Sequence, residues 1–295
     1  MSGDRVSLEA AFNAHSGKLL GLAYRMLGSR ADAEDIVQET WLRVSSAKAD
    51  IRETEAYLVT VATRLCLDQL KSARVRRETY VGPWLPEPVL STEEFSPATA
   101  TELAEDLSFA LLLTLETLTP PERAAFLLHD VFDLPFADVA RVLDKGKAAC
   151  RQLAARARKA VRDRQPSRAA SAEAHKDLTA HFFATLENGD LEGLKGLLQQ
   201  EVVLYTDGGG VKTAALNPIF GDDKVARFFL GITRKSMEEG TSIRLEESSI
   251  NGRPGVLIFL DGALDQTFSI HVENDQIAAI YVVRNPLKLD RLAAF

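Results

Sequence analysis

Apolar residues recur every three or four positions through the first 77 residues, which is the periodicity of amphipathic helices. The pattern predicts one helix over about residues 8–27, a break at Gly28-Ser29, a second helix from Asp32 and a third after Thr54. The third helix runs into a basic stretch that ends near residue 77. We therefore expect residues 1–78 to form an all-α domain.

Residues 79–101 break the helical pattern. They contain Pro83, Pro86, Pro88 and Pro97, a composition typical of a semi-rigid linker. Helical periodicity then returns, which predicts a second all-α domain over residues 102–165. Inside it, Thr119-Pro120-Pro121-Glu122 predicts a helix start, because Thr and Glu can cap one another and a first-turn proline needs no amide partner.

The segment from Phe136 to Arg162 predicts two short helices around a turn at Asp144-Lys145-Gly146. The second helix is apolar on one face and small or basic on the other. This combination is typical of a helix-turn-helix. Arg151 and Gln152 are residue types that read base edges, while Lys159 and Arg162 suit phosphates. An amphipathic helix pair without a DNA role is the alternative.

The pattern changes after Pro166. A helix is expected over residues 172–187, a short one follows, and five segments of strand character end near residue 284, with a helix from Asp222 to Thr233 after the first strand. Asn251-Gly252 and Asn274-Asp275 lie between strands as hairpin turns. The order predicts an α+β cone over residues 170–295, so the chain is multidomain: two all-α domains, then the cone.

The net charge of −7 hides an uneven distribution. Residues 64–77 carry 5 basic against 1 acidic side chain, and residues 141–169 carry 10 against 2, whereas the segment between them carries 1 against 12. Local basic charge favours binding to a polyanion through counterion release, whatever the total charge. Two solvated helix faces would produce the same counts.

Other chain-wide features narrow the class of protein. No apolar run approaches the ~18 residues of a membrane span, and the N-terminus lacks the pattern of a secretory signal, so we expect a cytoplasmic protein. Cys66 and Cys150 each fall inside a helical pattern and are expected to be buried hydrophobic residues. Neither a metal site nor a cofactor is expected.

Residues 32–44 read Asp-Ala-Glu-Asp-Ile-Val-Gln-Glu-Thr-Trp-Leu-Arg-Val, an amphipathic helix with an acidic surface suited to a basic helical partner. A solvated face with a core tryptophan is the alternative. This segment resembles the one with which bacterial RNA polymerase sigma factors bind the polymerase clamp. Leu118 to Arg123 and the helix from Arg151 to Arg158 resemble the promoter-binding domain of the same family, in its extracytoplasmic-function group. The resemblance covers residues 8–165.

The resemblance implies a sigma factor that binds the clamp and flap of core RNA polymerase and directs promoter-specific initiation, without catalysing a reaction. By motif, Asp35, Gln38 and Trp41 would contact polymerase. The third helix and its basic segment, together Tyr57 to Arg77, would contact and help melt the upstream part of the bubble. The helix-turn-helix would read the distal promoter element. The candidate DNA-binding residues are Arg64, Lys71, Arg74, Arg76, Arg77, Lys147, Arg151, Gln152, Arg156, Lys159 and Arg162.

Three motifs resemble the subgroup that carries a fused SnoaL-like (nuclear-transport-factor-two-like) domain. They are Trp84-Leu85-Pro86-Glu87-Pro88 in the linker, Asp207-Gly208-Gly209-Gly210, and Asn285-Pro286-Leu287-Lys288-Leu289. Two departures are that Val211-Lys212 reverses the usual order and that Leu287 replaces an aspartate. The resemblance implies an intramolecular contact between this domain and the sigma domains. The candidate regulatory residues are Trp84, Pro86, Asp207, Gly208, Gly209, Gly210, Asn285, Pro286 and Lys288.

Cones of this type often enclose a pocket, so an unknown small ligand is a further candidate partner. Polar candidates for it are Tyr205, Asp207, Asp265, His271 and Tyr281, among which a His and an Asp could form an acid–base pair. Such residues are more often surface or satisfied core residues. Two rival functions stay open: a helix-turn-helix regulator that never contacts polymerase, and an enzyme whose cone processes a small molecule.

Overall fold

The chain forms two compact units in the computed structural model, which describes residues 2–46, 54–90, 95, 106–163 and 171–292, without the side chains of 2–7 and 73–78. One unit combines residues 1–78 with 91–165, and the other combines residues 79–90 with 166–295. The first half of the proline-rich linker therefore belongs to the same compact unit as the C-terminal region. The four domain boundaries expected from the sequence stay predictions.

The helical unit begins with α1 (Ser2–Leu27), α2 (Arg30–Ser46) and α3 (Thr54–Glu78). The chain turns from α1 into α2 at Gly28, whose φ of 69° suits a residue without a side chain. The apolar stripes of the three helices face one another. Their buried members include Leu22, Ala23, Ile36, Val44, Leu58 and Ala62.

The same unit continues with α4 (Phe109–Glu116), α5 (Pro120–Phe126), a π-helical turn over Leu127–Val131, α6 (Phe136–Leu143) and α7 (Lys147–Arg162). The start of α5 is the predicted capping box, with Glu122 accepting from the Thr119 amide at 3.1 Å. The turn between α6 and α7 also forms as predicted. Its left-handed residue is Asp144 (φ 50°), whereas Gly146 is extended.

Two arginines, buried Arg123 and exposed Arg64, connect the halves of the helical unit. Arg123 on α5 donates to the carbonyl oxygen of Met26 in α1 and pairs with Glu116 at 2.9 Å. Burial lowers the pKa of Arg123 to about 10, which leaves it charged at neutral pH. Arg64 on α3 donates to the carbonyls of Arg141 and Val142 at 3.3 and 3.4 Å, at the C-terminal end of α6.

The second unit is the predicted α+β fold. Its helices and strands are α8 (Ala172–Glu187), α9 (Leu191–Leu197), β1 (Leu198–Asp207), β2 (Ile219–Phe220), α10 (Asp222–Glu238), β3 (Ile243–Ile250), β4 (Arg253–Leu260), β5 (Ala263–Glu273), β6 (Gln276–Val283) and α11 (Pro286–Leu289). The sheet order is β2-β1-β6-β5-β4-β3, in which β1 and β6 are parallel and the other pairs antiparallel. Both predicted Asn-containing hairpin turns form, with left-handed Asn251 and Asn274.

Both faces of this sheet contribute buried residues. One face packs on α8 and α10 through a core rich in phenylalanine, in which the Phe182 ring lies 5.1 Å from those of Phe229 and Phe268. Alternate residues of β5 and β6 point to the other face. There, Thr267, Ser269 and Tyr281 are also buried, and so are the linker residues Leu85 to Val89.

Within the described ranges, none of the helices combines the length and the apolar character of a membrane-spanning segment.

Candidate functional site

A polar groove runs between α2 and α3 in the helical unit, with a volume of about 490 Å³. Asp35, Glu39 and Asp68 give it an acidic lining. Leu42 also lines it and is 61% exposed, which is unusual for a leucine with so polar a neighbourhood. The complete lining is Asp35, Ile36, Gln38, Glu39, Leu42, Leu65, Asp68, Gln69 and Ser72.

The groove brings together only part of the predicted polymerase contact. Asp35 and Gln38 line it, but Trp41 is half-buried and its ring packs on Phe12 of α1, with 5.0 Å between ring centroids. Leu42 and the α3 residues that line the groove were not among the predicted polymerase contacts. Leu42 could have been predicted from the sequence. It is an apolar residue that lies four positions after Gln38, on the same helix face, and outside the buried stripe.

The basic end of α3 is only partly described. Arg64 is engaged with the end of α6, and Lys71 is exposed and pairs with Asp68 at 2.8 Å. The other three predicted DNA contacts on this helix have side chains outside the described residues; they are Arg74, Arg76 and Arg77.

Helix α7 separates its two faces as predicted. Its apolar face, which includes Cys150, Leu153 and Val161, is buried against the rest of the helical unit. The six predicted DNA contacts are all exposed: Lys147, Arg151, Gln152, Arg156, Lys159 and Arg162. Arg156 also pairs with Glu122 at 2.8 Å. The hydroxyl of Thr119 and then Arg156 keep the pKa of Glu122 below its ordinary value, so this pair is charged at neutral pH.

In the α+β unit, the three motifs singled out in the sequence meet at one carboxylate. Asp207, at the end of β1, is fully buried. Its Oδ1 accepts from the Tyr80 hydroxyl at 2.5 Å and from the Gly209 amide at 3.1 Å. Its Oδ2 accepts from the Leu85 amide at 2.9 Å and from Lys288 Nζ at 2.6 Å. We call Tyr80, Leu85, Asp207, Asn285 and Lys288 the Asp207 cluster.

The C-terminal motif supplies two members of this cluster. Asn285 Nδ2 donates to the Tyr80 hydroxyl at 2.8 Å, so that hydroxyl accepts one bond and donates another. Lys288 also donates to the Leu85 carbonyl, and its ammonium lies 4.4 Å from the Trp84 ring centroid and 5.1 Å from that of Tyr80. An ammonium between two aromatic faces is favoured by their quadrupoles.

Burial, with Asp207 adding to it, raises the pKa of the Tyr80 hydroxyl, which is therefore protonated and able to donate at neutral pH. Pro86 is buried in the docked linker, and Pro286 occupies the first turn of α11, where Asn285 caps the helix. Each predicted regulatory residue thus lies in or beside the Asp207 cluster.

The glycines after Asp207 permit close approach. Gly209 has a φ of 63°, and a side chain there would overlap the Asn285 amide. At Gly210, whose φ is 74°, an added Cβ would lie 3.2 Å from Val81 of the linker. Gly208 lies against the Lys212 carbonyl in the same turn. This explains the triple glycine without any phosphate-binding role.

The three residues that depart from the subgroup motifs are either ion-paired, as Lys212 is, or exposed, as Val211 and Leu287 are. Lys212 reaches buried Asp265 at 2.9 Å, and Arg284 pairs with the same carboxylate at 2.8 Å. Val211 and Leu287 are 67% and 77% exposed. The reversed order at 211–212 therefore places the cation on Asp265 and leaves an apolar side chain at the surface.

The polar residues proposed for a pocket are each engaged elsewhere. Asp207 and Asp265 hold the ion pairs above, and His271 contacts Glu273 at 3.0 Å. Tyr205 and Tyr281 stack with 5.8 Å between ring centroids. The helix-facing side of the sheet is filled by the phenylalanine-rich core.

Comparison with known proteins bears on both units. Residues 11–76 match the family model for sigma-70 region 2, and residues 108–161 match that for sigma-70 region 4. The chain is 40% identical to the ECF RNA polymerase sigma factor SigJ of Mycobacterium tuberculosis, over 94% of this chain and 91% of that protein. The chain belongs to the extracytoplasmic-function RNA polymerase sigma factors.

One further relative and one solved structure agree. A probable ECF RNA polymerase sigma factor, SigI of the same species, is 32% identical over 97% of this chain and 96% of its own length. The crystal structure of SigJ superposes with a TM-score of 0.73 at 36% identity, covering 95% of this chain and 98% of that one. The likeness thus includes the α+β unit. As a sigma factor, the protein binds core RNA polymerase and promoter DNA and directs promoter-specific initiation of transcription.

Proposed function

We propose that the sigma factor uses four surfaces, three in the helical unit and a regulatory one in the α+β unit. The groove lined by Asp35 and Gln38 takes a basic helical element of the polymerase clamp, with Leu42 as its apolar contact. The exposed face of α7 enters the distal promoter element, where Arg151 and Gln152 face base edges and Lys159 and Arg162 face phosphates. The basic end of α3 contacts the upstream part of the bubble.

The regulatory surface is the Asp207 cluster, which holds the linker between the two DNA-binding halves. The supporting observation is that a fully buried carboxylate accepts bonds from Tyr80 and Leu85 of the linker. A buried carboxylate left without its partners costs several kcal/mol, so the docked linker is the favoured state of the free protein. The α+β unit acts here as an internal inhibitor.

The length of the linker explains why docking restrains activity. Residues 79–105 separate the end of α3 from the described start of the second half of the helical unit, and residues 79–90 of these pack with the α+β unit. The two halves read different promoter elements, so both must be free to reach DNA. Docking holds residues 79–90, almost half of this connecting segment, in place. Only the remainder is then free to let the two halves separate and reach their DNA elements.

A regulatory role fits the α+β unit better than catalysis. The carboxylates of Asp207 and Asp265 are held in ion pairs, His271 contacts Glu273, and the helix-facing side of the sheet is packed with phenylalanine. We place the protein in the cytoplasm, where RNA polymerase acts.

Run-off transcription with purified core polymerase tests the restraint. Tyr80→Phe removes the hydroxyl that joins Asp207 to Asn285 but leaves the α+β fold intact. A hydrogen bond to a charged group is worth about 1.5–3 kcal/mol, so linker docking should weaken roughly ten- to a hundredfold. Transcript yield at limiting polymerase should rise. Lys288→Met should act in the same direction.

Leu287→Ala is the matched control, since Leu287 lies beside Lys288 in α11 but is 77% exposed. It should leave the yield unchanged. Equal yields for Tyr80→Phe, Lys288→Met and the unmodified protein would refute the restraint.

A further inference from the structure

The hairpin between β3 and β4 contacts the linker away from the Asp207 cluster. The backbone amide of Asn251 donates to the Val89 carbonyl at 2.8 Å, and Asn251 Oδ1 accepts from the Val89 amide at 3.1 Å. Both backbone groups of Val89 are therefore satisfied by one residue. The turn residue thus holds the linker by its own amide and by its side-chain oxygen, which takes the place of a backbone carbonyl.

A second hairpin in the same sheet gives an internal comparison. Asn251 and Asn274 are both left-handed turn residues, with φ values of 53° and 50°. Asn274 is exposed, as expected for a hairpin tip, whereas Asn251 is only 1% exposed. Turn formation explains an Asn at either position. It does not explain burial of one tip or a side-chain oxygen bonded to the linker.

We infer that the β3–β4 hairpin tip, through Asn251, is a second binding site for the linker, and that its ligand is the extended backbone around Val89. The side-chain oxygen of Asn251 recognises a free amide and its own amide recognises a carbonyl. Val89 itself is fully buried, so the site also holds an apolar side chain.

The two linker sites act together. Leu85 and Val89 are four residues apart, about 13 Å in an extended chain. Pro86 and Pro88 stiffen the segment between them, which lowers the entropy lost when both ends are bound. Once one site is occupied, the other faces its partner at high effective concentration. Release of the linker therefore requires both contacts to open.

This inference rests on the proposed restraint only for its effect on transcription. The contact itself can be measured by hydrogen exchange of single amides in the full-length protein. Asn251→Gly keeps a hairpin turn that glycine favours but removes the acceptor oxygen. Exchange of the Val89 amide should become about three- to tenfold faster, the worth of one hydrogen bond. The Leu85 amide should change less.

Asn274→Gly is the matched control and should leave both linker amides as they are. A Val89 amide whose exchange is unchanged by Asn251→Gly, or accelerated equally by Asn274→Gly, would overturn the inference.

A pair of linker variants guards against damage to the hairpin. Val89→Pro removes the donor amide without touching the sheet, whereas Val89→Ala shortens the same side chain and keeps the amide. Exchange of the Asn251 amide should be faster in Val89→Pro than in Val89→Ala, and equal rates would also overturn the inference. If these results hold while Tyr80→Phe leaves transcription unchanged, the second site stands and the proposed restraint fails.

Discussion

Gly21 lies in the middle of α1, where glycine usually weakens a helix by about 0.5–1 kcal/mol relative to alanine. Its position has a structural reason. A side chain there would overlap the carbonyl oxygen of Phe95, which also accepts from buried Arg25 at 3.4 Å. Burial lowers the pKa of Arg25 to about 10, with Asp106 opposing the shift, so this guanidinium stays charged and needs its acceptors.

Gly21→Ala should therefore destabilise the helical unit by roughly 1–3 kcal/mol, the range for forcing an extra methyl into a packed site. Gly231→Ala in α10 is the control, because a Cβ there would meet nothing within 4 Å. It should instead stabilise its unit by about 0.5–1 kcal/mol. Urea unfolding followed by circular dichroism measures both, and a stabilising Gly21→Ala would show that Phe95 does not need the glycine.

Asp207, Asn285 and Lys288 could be grouped from the sequence only through resemblance to known motifs. Their spacing along the chain carries no periodic signal, since they converge through the parallel pairing of β1 with β6. Tyr80 was missed altogether. No local pattern indicates that a tyrosine just after a helix donates to a carboxylate 127 positions away.

Among the elements, α2 shows what periodicity can and cannot predict. Helical spacing predicts one stripe of six residues, which are Ala33, Ile36, Val37, Thr40, Trp41 and Val44. Four of them are buried, but Val37 and Trp41 are only half-buried. The groove beside this stripe depends on α3, because Asp68 and Gln69 come from another helix. Sequence spacing thus located one wall of the site and not the other.

Asp35→Ala combined with Gln38→Ala should weaken association with core polymerase by roughly tenfold or more, if both belong to the minority of interface residues that each cost over about 1 kcal/mol when truncated. Both residues line an open groove, so the fold should tolerate the change. Asp177→Ala with Gln200→Ala removes the same two chemical groups from exposed positions of the other unit and should have no effect. A binding titration that gives equal affinities for both double variants would remove this assignment.

The strands differ in how well the sequence predicts them. Five were predicted, and each overlaps one observed strand, β1 or one of β3 to β6. The predicted segments are Val202–Thr206, Ile243–Ile250, Val256–Leu260, Leu264–Val272 and Ile277–Arg284. The short β2 was not predicted, since Ile219 and Phe220 are too few for a period to show. Its proline-rich composition predicted that the linker is a spacer. Composition gives no sign of the tertiary contacts through which residues 79–90 pack with the α+β unit.

Because residues 79–90 pack with the C-terminal extension, the extension contacts the linker directly. The extension binds the segment that joins the two DNA-binding halves, at Asp207 and at the β3–β4 hairpin. If docking restrains transcription as proposed, a ligand or partner that prefers the undocked linker raises activity in proportion to that preference. Regulation then needs no rearrangement inside the sigma domains themselves.

The last prediction concerns the C-terminal tail. Deleting residues 286–295 removes Lys288 but keeps Arg284 on Asp265, so the end of β6 stays anchored. The deletion should raise run-off transcription, because Asp207 loses its cation. It also removes buried Leu289 and Leu292, so thermal unfolding must show that the α+β unit is still folded. If the tail acts through the Asp207 cluster, adding Tyr80→Phe to the deletion should increase transcription far less than it does alone. Fully additive effects would mean that the tail and the linker act on transcription by separate routes.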